Sequence, residues 1–240
     1  MTNEWKYDPA HDLGLTATEH WKSLRREAGL GEFVAGHLWW LAMRAWLRTR
    51  QHLRVEGRER IPAAAPFVLV ANHTSHLDAL VLGAAVPGRL RASVFPIAAG
   101  DTFFETPVTA ALAATLLNAL PMWRRKCGPH AMEELRGRLI GEPCGYILFP
   151  EGTRSRDGAL QRFKPGVGMI VAGTPVPVLP CRITGAFEAW PADRKRPRGG
   201  RVTVRIGEPL RFDDLANDRA GWEAVASRLH TAVEVLGGRT

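Results

Sequence analysis

The chain has 240 residues, 45% of them hydrophobic, with a formal charge of +8 and a pI near 10.1. That length and apolar fraction exclude a disordered or low-complexity protein and suit one sizeable domain, or a domain with a small appendage. Cys127, Cys144 and Cys181 have no metal-ligand spacing and cannot all pair with one another, which excludes a disulfide framework and points to a reducing, cytoplasmic-facing location.

The basic balance fits an anionic partner: nucleic acid, an anionic membrane surface or phosphorylated substrates. Residues 1–15 read as a loose lead-in, and Met1 to Asp12 mixes acids and bases unlike a secretory signal. A helix is expected from Thr16, with Thr18 as its cap and Trp21, Leu24 and Ala28 on one face, before Gly29 and Gly31 interrupt it. Phe33 to Leu47 is apolar and carries Trp39, Trp40, Trp46, His37 and Arg44, with Arg48 and Arg50 just beyond. It is short of the ~20 apolar residues a membrane span needs. Tryptophans beside arginines suit the lipid headgroup zone, and the same pattern also suits an amphipathic helix packed on a core.

His52 to Glu56 reads as a strand ending at Gly57, and Ile61 to Pro66 as a connector. Phe67 to Ala71 is apolar without alternation, the pattern of a strand buried on both faces. A helix is expected from about Ser75 to Ala85, a turn at Pro87-Gly88 and a strand over Leu90 to Ile97. Thr106-Pro107 resembles a helix start and opens an uncharged, alanine- and leucine-rich run to Trp123, closed by Arg124, Arg125 and Lys126. Its modest hydrophobicity favours a helix buried in protein or lying in the membrane interface. Pro129 to Leu139 reads as a charged, exposed helix. Tyr146 to Phe149, Val176 to Ile183 and Val202 to Ile206 read as strands, and Trp222 to Leu236 as a helix with Val225, Leu229 and Val233 at core spacing. Strands alternating with helices predict an α/β fold, a mostly parallel central sheet flanked by helices. Residues 1–50 are read as an N-terminal helical membrane-associating segment and 51–240 as the α/β domain.

Two polar clusters interrupt this framework. Asn72-His73-Thr74-Ser75-His76-Leu77-Asp78 follows the apolar strand. His73 and Asp78 stand five apart across the bend, so a carboxylate can hold one imidazole nitrogen and leave the other to take a proton from a hydroxyl. Taken alone, the same residues read more readily as a helix capped by Thr74 or Ser75, with two incidental histidines. Phe149-Pro150-Glu151-Gly152-Thr153-Arg154-Ser155-Arg156 follows another strand, and ligand sites in open α/β sheets gather past such ends. Gly152 permits close backbone approach, and Arg154 offers a rigid fork for phosphate. Glu151 suits either a pair with that arginine or a hydrogen bond to a ligand hydroxyl, and Lys164 brings another cation.

These clusters resemble the glycerolipid acyltransferase family, of the lysophosphatidic acid acyltransferase type. Its first motif, a histidine and an aspartate with four residues between, is matched by His73 and Asp78. Its third is matched by Phe149 to Ser155, and its fourth, a proline-bearing apolar strand, by Val176 to Pro180. Its second ends in an arginine after an apolar run, the place of Arg124; Trp123 stands where the family often has an acid. The motifs occur in the family's order over roughly residues 67–185.

The resemblance implies that His73 is the general base on an acceptor hydroxyl, that Asp78 fixes the imidazole tautomer, and that the hydroxyl attacks an acyl thioester directly. Acyl-CoA or acyl carrier protein would be co-substrate, with no cofactor and no metal. It implies that Glu151, Gly152, Thr153 and Arg154, with Arg124 and Lys164, hold the phosphate of a lysophospholipid acceptor at an anionic membrane surface on the cytoplasmic face. No nucleic acid is expected: Arg194 to Arg201 reads as a solvated loop or a lipid-touching patch. A binuclear metallohydrolase is disfavoured because its histidines stand one residue apart, not as in His73 and His76. The Gly-x-Ser-x-Gly of a serine hydrolase is missing from the sequence, and Cys181 lies in an expected core strand.

Overall fold

The computed structural model of the chain describes residues 12–27, 29–123 and 129–238. The expectations that fell on Met1 to His11, Ala28, Arg124 to Lys126 and Cys127 lie outside those residues. The elements in chain order are α1 (Ala17–Lys22), α2 (Leu30–Arg50), β1 (Arg54–Glu56), β2 (Phe67–Ala71), α3 (Asp78–Ala85), β3 (Val94–Ala99), α4 (Gly100–Phe103), α5 (Pro107–Leu117), β4 (Leu120–Met122), α6 (Pro129–Gly141), β5 (Gly145–Leu148), α7 (Gly166–Val171), β6 (Val178–Thr184), α8 (Ala186–Ala189), β7 (Thr203–Ile206) and α9 (Arg219–Gly237).

Among the described residues the strands form one sheet in the order β1-β7-β6-β2-β5-β3-β4. Every neighbouring pair is parallel except β6 with β7, so the α/β, mostly parallel reading holds. Strand β2 lies at the centre, with all five residues buried. Its alternate side chains serve two layers. Phe67, Leu69 and Ala71 pack with Trp40 and Leu47 of α2 and Val81 and Leu82 of α3. Val68 and Val70 pack with Leu135 and Leu139 of α6, Val167 and Ile170 of α7, and Val225, Leu229 and Val233 of α9. A strand sandwiched this way must be apolar at every position, which is why it reads without alternation. Helix α2 therefore contributes side chains to the main core while also leaving an outer face.

Several boundaries differ from the sequence reading, each for a local reason. Thr16, not Thr18, caps α1, because Glu19 three residues on closes a capping box with it. The segment expected as a strand over Leu90 to Ile97 begins as a 3-10 turn, Gly88–Ser93, and only then extends as β3. The uncharged run after Thr106 is not one helix. Asn118 takes a left-handed conformation at φ 54° and ends α5, and the chain then enters β4. The buried Arg26 guanidinium donates to the carbonyls of Ala119 (2.9 Å) and Ala114 (3.3 Å) and to the Asn118 side chain (3.0 Å), satisfying that helix end. Helix α6 is exposed on one side only, since Leu135 and Leu139 are buried.

Among the described residues no helix is long and apolar enough to cross a membrane. The outer face of α2 nonetheless exposes Leu30, Val34, Leu38 and Leu41, and α5 exposes Val108 and Leu112.

Candidate active site

The carboxyl end of β2 delivers the first cluster. Asn72 continues the sheet with its side chain: its amide donates to the Ile183 carbonyl at 3.0 Å and its oxygen accepts the Ile183 N–H at 2.8 Å. This clasp to β6 fixes the backbone from which His73 leaves. The Nδ1–H of His73 donates to Asp78 Oδ2 at 2.8 Å. The same oxygen accepts the backbone N–H groups of Thr74 (2.6 Å) and Ser75 (2.8 Å). Asp78 is fully buried at the first position of α3, where the positive end of the helix dipole favours a carboxylate. Ser75 has a turn-forming role: its hydroxyl donates to the Trp190 carbonyl and accepts the Leu77 N–H. The His73 ring is stacked on Phe149, centroids 4.3 Å apart. With Nδ1 held by Asp78, the Nε2 lone pair remains for a ligand proton.

The end of β5, the strand beside β2, delivers the second cluster, and it grips His73 by the backbone. The carboxylate of Glu151 accepts the His73 N–H at 2.9 Å, and the Ser155 N–H donates to the His73 carbonyl at 2.8 Å. The turn between them is set by Gly152 at φ +77°, a conformation that favours glycine.

The structure sets Glu151 apart from Arg154 and from the lining of the adjoining cleft. It is 2% exposed beneath His73. Burial is the main force that pushes its carboxyl up to about 7, helped by the charge of Asp78 and opposed by the N–H groups of His73 and Gln161. Folding therefore favours the protonated form over the ordinary 4.5. The stability linked to it is complete below the ordinary value and is lost as pH rises through about 7. Glu151→Gln keeps a neutral acceptor for the His73 N–H. From 4.5 to about 7 is worth about 3 kcal/mol, so the variant is expected to melt close to wild type near pH 4 and roughly 6–12 °C above it near pH 8, at about 2–4 °C per kcal/mol. Melting curves of the two proteins that stay parallel across that range would remove Glu151 as the titrating group.

An open cleft of about 510 Å3 lies beside this loop, lined by Thr153, Arg154, Arg156, Asp157, Gln161 and Ala192. Arg154, in its wall, is held by His76, with Nη1 at 2.5 Å from the imidazole Nδ1. The other ring nitrogen donates to the Ala192 carbonyl at 3.3 Å. Burial, and then the Arg154 charge, lower the His76 pKa, which suits a neutral ring accepting from the guanidinium. Lys164 is folded over the loop: its N–H donates to the Pro150 carbonyl, and a Cβ added at Gly152 would lie 2.6 Å from its Nζ. Of the expected phosphate-holding set, the structure brings Gly152, Thr153, Arg154 and Lys164 together and turns Glu151 away, while Arg124 lies outside the described residues. Sequence reasoning missed Arg156, which shares the cleft with Arg154 two residues earlier, and missed Phe149 as the platform under the imidazole. Cys181 is fully buried and burial pushes its thiol far up, which leaves no nucleophile there.

Comparison with known proteins places this geometry. A sequence profile of the acyltransferase family matches residues 52–184. The chain is 29% identical over 168 residues to 1-acyl-sn-glycerol-3-phosphate acyltransferase alpha of Bos taurus, covering 69% of this chain and 56% of that protein. It is also 29% identical over 160 residues to the beta enzyme of Homo sapiens, covering 66% and 56%. The chain thus spans somewhat over half the length of the curated relatives it matches. Its fold is similar to the crystal structure of the 1-acyl-sn-glycerophosphate acyltransferase PlsC from Thermotoga maritima, with a TM-score of 0.64 and 28% identity over 87% of this chain and 80% of that one.

Proposed function

The chain belongs to the acyltransferase family, and from that premise we propose that it moves a fatty acyl group from a thioester to the free hydroxyl of 1-acyl-glycerol-3-phosphate, making phosphatidic acid. The observation that carries this reading is the 2.8 Å bond from His73 to Asp78, on a histidine whose backbone is gripped at both ends by the Glu151–Ser155 loop. His73 Nε2 takes the proton of the acceptor hydroxyl as its oxygen attacks the thioester carbonyl. Asp78 holds the imidazole and stabilises the imidazolium. The C–S bond breaks as the new ester forms, and the imidazolium returns its proton to the leaving thiolate. The acceptor is itself the nucleophile, so the chemistry calls for no acyl-enzyme, cofactor or metal. Acyl-CoA or acyl carrier protein is the co-substrate.

The anionic acceptor is favoured by the cations of the cleft, Arg154 and Arg156, which outnumber its one carboxylate, Asp157, with Lys164 over the adjoining Gly152. Placement at a membrane surface on the cytoplasmic face is favoured by the exposed leucines of α2 and the basic charge of the chain. The test is transfer of radiolabelled palmitoyl groups, from CoA and from carrier protein, to a panel of lysolipids. Conversion of lysophosphatidic acid to phosphatidic acid is expected; failure with every lysolipid and both donors would refute the reading.

Arg154→Ala is expected to raise the acceptor KM by about 10–100-fold, the worth of one charged hydrogen bond, and to leave the donor KM in place. A change confined to the donor KM would move Arg154 out of the acceptor site.

A further inference from the structure

Three arginines that this chemistry does not use converge at the C-terminal end of α3. Arg91 and Arg58 both donate to the Val86 carbonyl, at 3.2 and 3.4 Å, so their guanidinium groups share one acceptor. Arg91 also reaches the Gly83 carbonyl at 3.3 Å, and its guanidinium lies over the Trp40 ring, 4.7 Å from the centroid. Arg44 stands one turn beyond Trp40 on α2. Burial first, and then the charge of Arg44, lower the pKa of both Arg58 and Arg91, so the three cations share one electrostatic neighbourhood.

No carboxylate among the described residues forms an ion pair with Arg44, Arg58 or Arg91. Among the described residues, the arginines that form ion pairs are Arg60, Arg138, Arg205, Arg219 and Arg228. The carbonyls that Arg58 and Arg91 cap belong to one helix C-terminus, equivalent to roughly half a negative charge. About two and a half positive charges are left over. Two kinds of surface adjoin them. The exposed leucines of α2 run along the same helix as Arg44. Arg91 and Trp40 form part of the wall of a recess of about 320 Å3 between α2 and α5.

We propose that Arg44, Arg58 and Arg91 bind the phosphate headgroup of an anionic membrane phospholipid, at a site separate from the catalytic cleft. A guanidinium fork matches phosphate oxygens. The apolar face of α2 and the recess then accept the adjoining hydrocarbon. Because α2 is packed on the core through Trp40 and Leu47, such a site sets the orientation of the whole protein at the bilayer. The inference rests on the reading that α2 meets a membrane, and it is independent of the transfer chemistry.

The test is flotation of the full-length protein, without substrates, on vesicles of pure phosphatidylcholine and of phosphatidylcholine mixed with phosphatidylglycerol. Arg91 is left intact because it makes two of the three arginine bonds to the end of α3, where Arg58 makes one, the longest at 3.4 Å. Arg44→Gln with Arg58→Gln is expected to lower affinity for the mixed vesicles about 30-fold, roughly fivefold per cation lost, and to leave binding to the neutral vesicles unchanged. Lys195→Gln with Arg196→Gln removes the same charge from the loop after α8 and is expected to cost under about threefold. Equal losses from the two pairs, or no loss from the first, overturn the site. Displacement of the protein from mixed vesicles by millimolar inorganic phosphate at constant ionic strength would make soluble phosphate the ligand and overturn the lipid assignment. Wild-type protein that floats as expected yet transfers no acyl group would sink the catalytic reading and leave this one standing.

Discussion

His73→Ala is expected to lower acyl transfer by about 100- to 10,000-fold, the range of a positioned general base, with little change in the fold. The small structural effect follows from how the loop is attached. Glu151 and Ser155 hold the backbone N–H and carbonyl of His73, and alanine keeps both. The side chain gives up its stack on Phe149 and its bond to Asp78, but Asp78 keeps the N–H groups of Thr74 and Ser75. Steady-state rates beside a thermal melt check the separation. Turnover within about tenfold of wild type would remove His73 as the base, since a base supplies at least about 100-fold. A collapsed melt would mean the imidazole is a structural element first.

Asp78→Asn is expected to cost as much activity and, unlike the histidine variant, to cost stability as well. One oxygen of Asp78 accepts three hydrogens: from His73 Nδ1, Thr74 N and Ser75 N. An asparagine has one accepting oxygen and a donating NH2. If the NH2 takes the place of Oδ2 it faces Nδ1, forces the imidazole proton onto Nε2 and removes the lone pair that accepts from the hydroxyl. If the amide oxygen takes that place it keeps all three hydrogens, and the NH2 is buried where Oδ1 has no partner. The first arrangement predicts a fall in kcat of about 100- to 10,000-fold; the second predicts a loss of about 1–3 kcal/mol in unfolding free energy. Residues acting as a unit are not additive. His73→Ala combined with Asp78→Asn should therefore be about as slow as His73→Ala alone. A double variant slower by the product of the two single effects would show that Asp78 acts on the reaction by a route other than His73.

The site was legible in the sequence where a polar cluster interrupts an unbroken apolar strand. Phe67 to Ala71 leaves no alternation to interpret, so Asn72 to Asp78 stands out as a loop at a strand end. The same holds for Tyr146 to Leu148 ahead of Glu151. Direction was not legible. Glu151 and Arg154 are three apart in one loop, yet one is buried beneath His73 and the other lines the cleft and meets His76. Residue type gives charge, while the sign of φ at Gly152 decides which way each charge points. Asn72 was overlooked for a similar reason: its two bonds to Ile183 depend on β6 being the neighbour of β2, and strand order is not written in either segment. The alanine-rich run misled because its break is made from a distance, by Arg26 reaching the end of α5.

The central place of β2 bears on how the protein is born. Its partners are β5, with Phe67 opposite Gly145, and β6, with Val68 opposite Val178. During translation the five apolar residues of β2 leave the ribosome long before either partner exists. The nascent chain must carry that strand without β5 until the segment through Leu148 has emerged, and without β6 until the segment through Thr184 has, so the clasp of Asn72 to Ile183 forms late. Pairings this distant in sequence fold slowly and leave sticky edges exposed meanwhile. Overproduction that outruns chaperone capacity should therefore drive this protein into inclusion bodies, and slowing synthesis by cooling should recover soluble enzyme.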